Sequence, residues 1–65
     1  GKVQISAPEP GKFVLKVLDP KGRFVMKKEF ENETSVDLSA NPPGAYLLQI
    51  ENQNGIGRTL RLIRK

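Results

Sequence analysis

The sequence predicts an all-β fold, an antiparallel sandwich or barrel, on three observations. Short runs of alternating apolar and polar residues recur along the chain. Clusters of Gly, Pro, Asn and Asp punctuate those runs. No segment carries a helical period of useful length.

Lys2-Val3-Gln4-Ile5-Ser6 alternates and reads as a short strand, ended by Ala7-Pro8-Glu9-Pro10-Gly11, which cannot carry a ladder. A second strand runs from Lys12 to Leu18. Phe13, Leu15 and Val17 share its inner face, while the lysines assign Lys12, Val14 and Lys16 to solvent. Asp19-Pro20-Lys21-Gly22 then fits a type I turn, with Asp first, Pro second and Gly fourth. Closing a hairpin on that turn pairs Leu18 with Arg23, Val17 with Phe24 and Leu15 with Met26, apolar against apolar. Lys27 and Lys28 blur the alternation, and the facing of Glu29 and Phe30 stays open. Glu31-Asn32-Glu33 reads as an acidic loop, and Ser35-Val36-Asp37-Leu38-Ser39 as a strand with Val36 and Leu38 inward.

Asn41-Pro42-Pro43-Gly44 turns the chain into its densest apolar run, Ala45 to Ile50, with Tyr46, Leu48 and Ile50 on one side. A two-residue Asn54-Gly55 turn after it would set Leu48 against Arg61. A three-residue loop, Gln53-Asn54-Gly55, instead pairs Leu48 with Leu60 and Tyr46 with Leu62, and puts Gly55 where such loops take a left-handed glycine. That register leaves Arg61 opposite Leu47 on the outer face, with Thr59 and Ile63.

A chain of 65 residues is one small domain, residues 1–65, and buries only about 60% of its unfolded surface. With neither cysteine nor histidine, it has no disulfide framework, no usual zinc constellation, and no triad built on either residue. The reading calls for no cofactor. No apolar stretch approaches the roughly 20 residues of a membrane-spanning helix. Gly1 begins directly at a strand-like segment, so the domain is expected to be a fragment of a longer protein. The net charge is +4, and Arg58, Arg61, Arg64 and Lys65 follow the last acidic residue, Glu51. Such a tail can mark a nucleic-acid patch, but it lacks the aromatics that stack on bases. A charged edge strand is the better account.

Three features in order resemble a known family. They are Val17-Leu18-Asp19-Pro20-Lys21-Gly22-Arg23-Phe24-Val25; then Val36-Asp37-Leu38 followed by Pro43-Gly44-Ala45-Tyr46-Leu47-Leu48-Gln49-Ile50; and the basic-apolar strand Arg58 to Lys65. Their order and spacing are similar to the C-terminal sorting domain of proteins exported by the type IX secretion system of Bacteroidetes. The family commonly opens with a strand leading to Pro-Asn-Pro ahead of the Gly1 position, and often has lysine where this chain has arginine. The resemblance implies an immunoglobulin-like β-sandwich, here without its first strand, at the end of a cargo protein. It implies recognition by the outer-membrane translocon, export through the periplasm to the cell surface or secretion, and, as is usual in the family, removal by a cell-surface sortase.

On that reading Gly44 and Tyr46 are candidate recognition residues whose first roles are the turn and the core. Asp19, Gly22 and Arg23 are turn chemistry first and recognition second. Arg58, Arg61, Arg64 and Lys65 are expected to be dispensable for folding and free for a partner, which could extend the terminal edge by β-augmentation. An open second edge would promote homodimerisation of the isolated chain. Two other classes compete. An accessory β-sandwich binding carbohydrate or protein should show a row of exposed aromatics, and none is evident. A small hydrolase using Asp19, Glu29, Glu31, Glu33 or Asp37 needs paired carboxylates in a cleft, whereas these fall in turns and on exposed strand positions.

Overall fold

Strands form where the sequence alternates, and among the described residues no helix interrupts them. A computed structural model describes residues 2–55 and 57–65. Its elements are β1 (Lys2–Ser6), β2 (Lys12–Leu18), β3 (Phe24–Glu31), β4 (Glu33–Asp37), β5 (Gly44–Glu51) and β6 (Gly57–Arg64). All pairing is antiparallel. β1 and β4 form one sheet, and the other has the order β3-β2-β5-β6. The two pack as a sandwich whose thinnest extent, 15 Å, leaves room for just two layers.

The core lies between them. The larger sheet contributes Phe13, Leu15, Val17, Phe30, Tyr46, Leu48 and Ile50; Ile5 and Val36 come from the smaller one, and Leu38 from just beyond it. Burying each such aliphatic or aromatic side chain contributes about 1.5–3 kcal/mol relative to leaving it in water. Phe13 and Phe30 face each other across β2 and β3, with ring centroids 6.3 Å apart. Phe30 is therefore inward and Glu29 outward, which settles the facing that the sequence left open.

The first hairpin departs from the expected register. Asp19 N–H donates to the Arg23 carbonyl (2.8 Å), so the loop is Pro20-Lys21-Gly22 and Leu18 pairs with Phe24, not Arg23. A bulge between Val17 and Leu18 adds one more residue, setting Val17 against Met26 and Leu15 against Lys28. The type I turn itself is present, with Gly22 N–H donating to the Asp19 carbonyl at 2.8 Å. What moves the register is the residue after it. The Asp19 carboxylate accepts the Arg23 amide and holds Arg23 opposite Asp19, where the two residues close the loop. Phe24, expected inward opposite Val17, is consequently 66% exposed. Lys28 lies on the inner face at the sheet edge, and its ammonium donates to the Ser35 carbonyl of β4 at 2.7 Å.

The expected acidic loop is not a loop. Glu31 ends β3, Glu33 begins β4, and Asn32 alone separates them, with φ +63°. Asn is among the few residues that accept this left-handed conformation, and here it carries the chain from one sheet into the other. β4 accordingly occupies Glu33–Asp37, starting two residues earlier than the alternation suggested.

The second hairpin follows the three-residue register. Leu48 pairs with Leu60, Tyr46 with Leu62, and Leu47 with Arg61. Gly55, at φ +77°, supplies the left-handed residue of the turn. The last registered pair before the loop is Glu51 with Gly57. The pair expected beyond it, Asn52 with Ile56, lies outside the described residues.

Candidate functional site

The motif residues gather at one end of the sandwich. Asp19 organises the β2–β3 turn. Its Oδ1 accepts the amides of Lys21 (2.9 Å) and Arg23 (2.8 Å), and its Oδ2 accepts from Arg23 Nε (3.1 Å). The Arg23 amide is the main cause of a carboxyl pKa held below its ordinary value. Partial burial opposes it, and the Lys21 amide and the Arg23 guanidinium reinforce it. With Oδ2 engaged, the Arg23 guanidinium is tethered even though its side chain is 73% exposed.

Pro20 connects this turn to the second motif. Gly44 opens β5 at φ +151°, and a Cβ built on it would lie 2.7 Å from Pro20 Cγ. Only glycine suits both the dihedral and the contact. Two residues on, Tyr46 buries its ring (1% exposed) and donates its hydroxyl to the Pro42 carbonyl at 2.5 Å. A tyrosine near the start of a strand, bonded back to the backbone a few residues upstream, has the form of the tyrosine corner of immunoglobulin-like sandwiches. Between the two motifs lies an open groove of about 760 Å³, lined among others by Pro20, Arg23, Phe24, Asn41 and Pro42.

The basic residues do not form one cluster. Arg58 lies opposite Ile50, and Arg64 opposite Gly44. Six residues of strand separate them, about 20 Å. Arg61 projects from the outer face beside Leu47, and Lys65 follows the last strand. Arg64 is the exception to the expected dispensability. Its Nε donates to the Leu38 carbonyl (2.7 Å) and its Nη2 to the Ser39 carbonyl (3.0 Å), tying the end of β6 to the turn after β4. No acidic residue follows Glu51 in the sequence, and the acceptors are instead backbone carbonyls that the fold brings in from residues 38 and 39.

The carboxylates that could have suggested hydrolysis serve the turns or face water. Asp37 Oδ1 accepts the Ser39 amide (2.9 Å), and its pKa is lowered chiefly by hydrogen bonding to the Ser39 side chain and then to its amide. Glu29, Glu31 and Glu33 are exposed.

A family model described as the secretion system C-terminal sorting domain matches residues 1–65, the whole chain. The chain belongs to this family. The sorting-domain family is one of type IX secretion signals rather than of enzymes. Export to the cell surface or secretion, and interaction with the secretion machinery, follow from membership. No curated protein and no solved structure matches the chain significantly. Among the described residues no helix is long and apolar enough to cross a membrane.

Proposed function

We propose that this domain, at the end of a longer cargo protein, directs that cargo through the outer-membrane type IX translocon and is afterwards removed by a cell-surface sortase. The observation that carries the reading is the match of the sorting-domain family to the entire chain. The recognition surface comprises the turn end, with Asp19, Gly22, Arg23, Gly44 and Tyr46 in structural roles, and the edge of β6. β6 pairs with β5 on one side and ends the sheet on the other. A translocon strand adding to that edge gains main-chain hydrogen bonds, and Arg58, Arg61 and Lys65 select an acidic partner.

The test is a reporter fused ahead of the domain in a bacterium with type IX secretion. The variant Arg58→Gln/Arg61→Gln/Lys65→Gln is expected to melt like the parent and to leave the reporter in the periplasm. Normal export with a normal melt would reject these charges as part of the signal. Arg64 is kept out of the set because its clamp to residues 38 and 39 would confound folding with recognition.

A further inference from the structure

The larger sheet has a second face, turned away from the core, that no strand among the described residues covers. The registers align Phe24 beside Leu18, Leu18 beside Leu47, and Leu47 beside Arg61, one row crossing all four strands. Phe24 is 66% exposed and Leu47 36%; Ile63, one row toward the Gly44 end and paired with Ala45, is 55% exposed. The next row in the opposite direction holds Lys27 and Lys16, and the row beyond that holds Glu29 and Glu51. Successive rows are two residues of strand rise apart, about 7 Å. Lys16 is bonded to Glu51 at 3.3 Å, whereas Lys27 and Arg61 have no ion-pair partner among the described residues.

We infer that this row is a docking surface for a protein face whose apolar side chains are bordered by carboxylates, presented by a component of the secretion machinery. The inference rests on the sorting reading above and concerns a surface separate from the β6 edge. A solvated sheet face ordinarily carries polar residues at alternate positions; a row of Phe, Leu and Leu continued by Ile63 is an apolar patch of the kind that marks an interface. Lys27 and Arg61 beside it supply the charge that a partner must complement.

Neither a second copy nor a lipid surface fits as well. A two-fold stack of apolar row on apolar row sets Lys16 and Lys27 of each copy over the Ala45–Ile63 row of the other and Arg61 over the other copy's own apolar row, and neither row holds a carboxylate. An anionic bilayer pressed on this flat face would also meet Glu29 and Glu51, about 14 Å from the apolar row.

The test compares surface display of the reporter fusion for Phe24→Ser/Leu47→Ser, with Phe24→Thr/Leu47→Thr as a second pair that keeps strand propensity. Each is paired with a thermal melt of the purified chain. Losing two apolar anchors is expected to lower surface reporter about tenfold with the melt retained. Lys27→Glu/Arg61→Glu should lose more export than Lys27→Gln/Arg61→Gln, since reversal adds repulsion to a lost attraction. Export of both apolar pairs at the parent level, with the parent exported normally, overturns the docking surface and leaves the sorting reading standing. A parent fusion retained in the periplasm overturns both. Loss of the melt in both pairs makes the row structural and overturns the inference. Sedimentation should find no self-association that depends on Phe24 and Leu47, and the chain should not pellet with phosphatidylglycerol vesicles. A dimer dissolved by Phe24→Ser/Leu47→Ser, or vesicle binding lost in that variant, would give the row a different occupant and overturn the proposal.

Discussion

Tyr46 offers the sharpest test of how this small fold is held, because its ring and its hydroxyl are separable by substitution. The ring is 1% exposed among the core residues, and the hydroxyl donates to the Pro42 carbonyl. Tyr46→Phe removes the hydroxyl and little else. Pro42 lies at the surface, so its carbonyl can take up water, and the loss should be about 1 kcal/mol. For a domain of this size that is a fall in melting temperature of about 4–8 °C. Tyr46→Ala removes the ring as well and should cost about 3–5 kcal/mol. A domain of 65 residues has about 3–10 kcal/mol in total, so the alanine variant should lie at or near the edge of unfolding at room temperature. Urea and thermal denaturation, followed by circular dichroism, measure both. An alanine variant melting with the parent would show that the ring contributes no packing. A phenylalanine variant as damaged as alanine would move the energy from the ring to the hydrogen bond and refute the core assignment.

Gly44→Ala should destabilise by about 1–3 kcal/mol through its dihedral, and Pro20→Ala should restore part of that loss by clearing the contact at 2.7 Å; equal melts for Gly44→Ala with and without Pro20→Ala would remove the contact from the account. Arg64→Gln should cost about 1.5–3 kcal/mol by breaking charge-assisted bonds to carbonyls, and Arg61→Gln no more than about 0.5 kcal/mol; denaturant midpoints of the two read the difference. Asp19 carries a pH dependence of defined sign. Its folded-state pKa lies below the ordinary 3.8, so the unfolded chain binds the proton first. Its stabilisation is present above 3.8 and is lost as the pH falls from there through the folded value. Asp19→Asn should flatten that part of the melting-temperature profile, and an unchanged profile would assign the acid sensitivity elsewhere.

Alternation made the inner faces of β2 and β5 legible, because side chains on a strand repeat every two residues and each of these strands has one buried side. The second hairpin was legible for a further reason: only one loop length brought Leu48 to Leu60, and a glycine stood where that loop needs it. The first hairpin uses the same construction, a type I turn followed by a residue adjusting the ladder, with Gly22 in the place of Gly55. Its register is not legible in the sequence, because pairing Val17 with Phe24 and Leu15 with Met26 also sets apolar against apolar. The bulge near Leu18 leaves no signature in composition, and Phe24 faces outward because the longer loop pairs it with Leu18. Arg64's role was hidden for a different reason. Its acceptors are backbone carbonyls, which every residue has, and only the fold brings those of Leu38 and Ser39 within reach.

The β2–β5 pairing has a kinetic consequence. β2–β3 and β5–β6 are local hairpins that close through short loops, and such elements form within about 1–10 μs. Setting Leu15 beside Ile50 and Val17 beside Leu48 requires the two hairpins to find each other across the intervening chain, as does β1 with β4. Until they meet, each hairpin shows water a bare edge backed by Phe13, Leu15 and Val17 or by Tyr46, Leu48 and Ile50. The interval before they join, rather than the finished sandwich, is when another chain can capture either edge. Refolding yield should therefore fall as concentration rises.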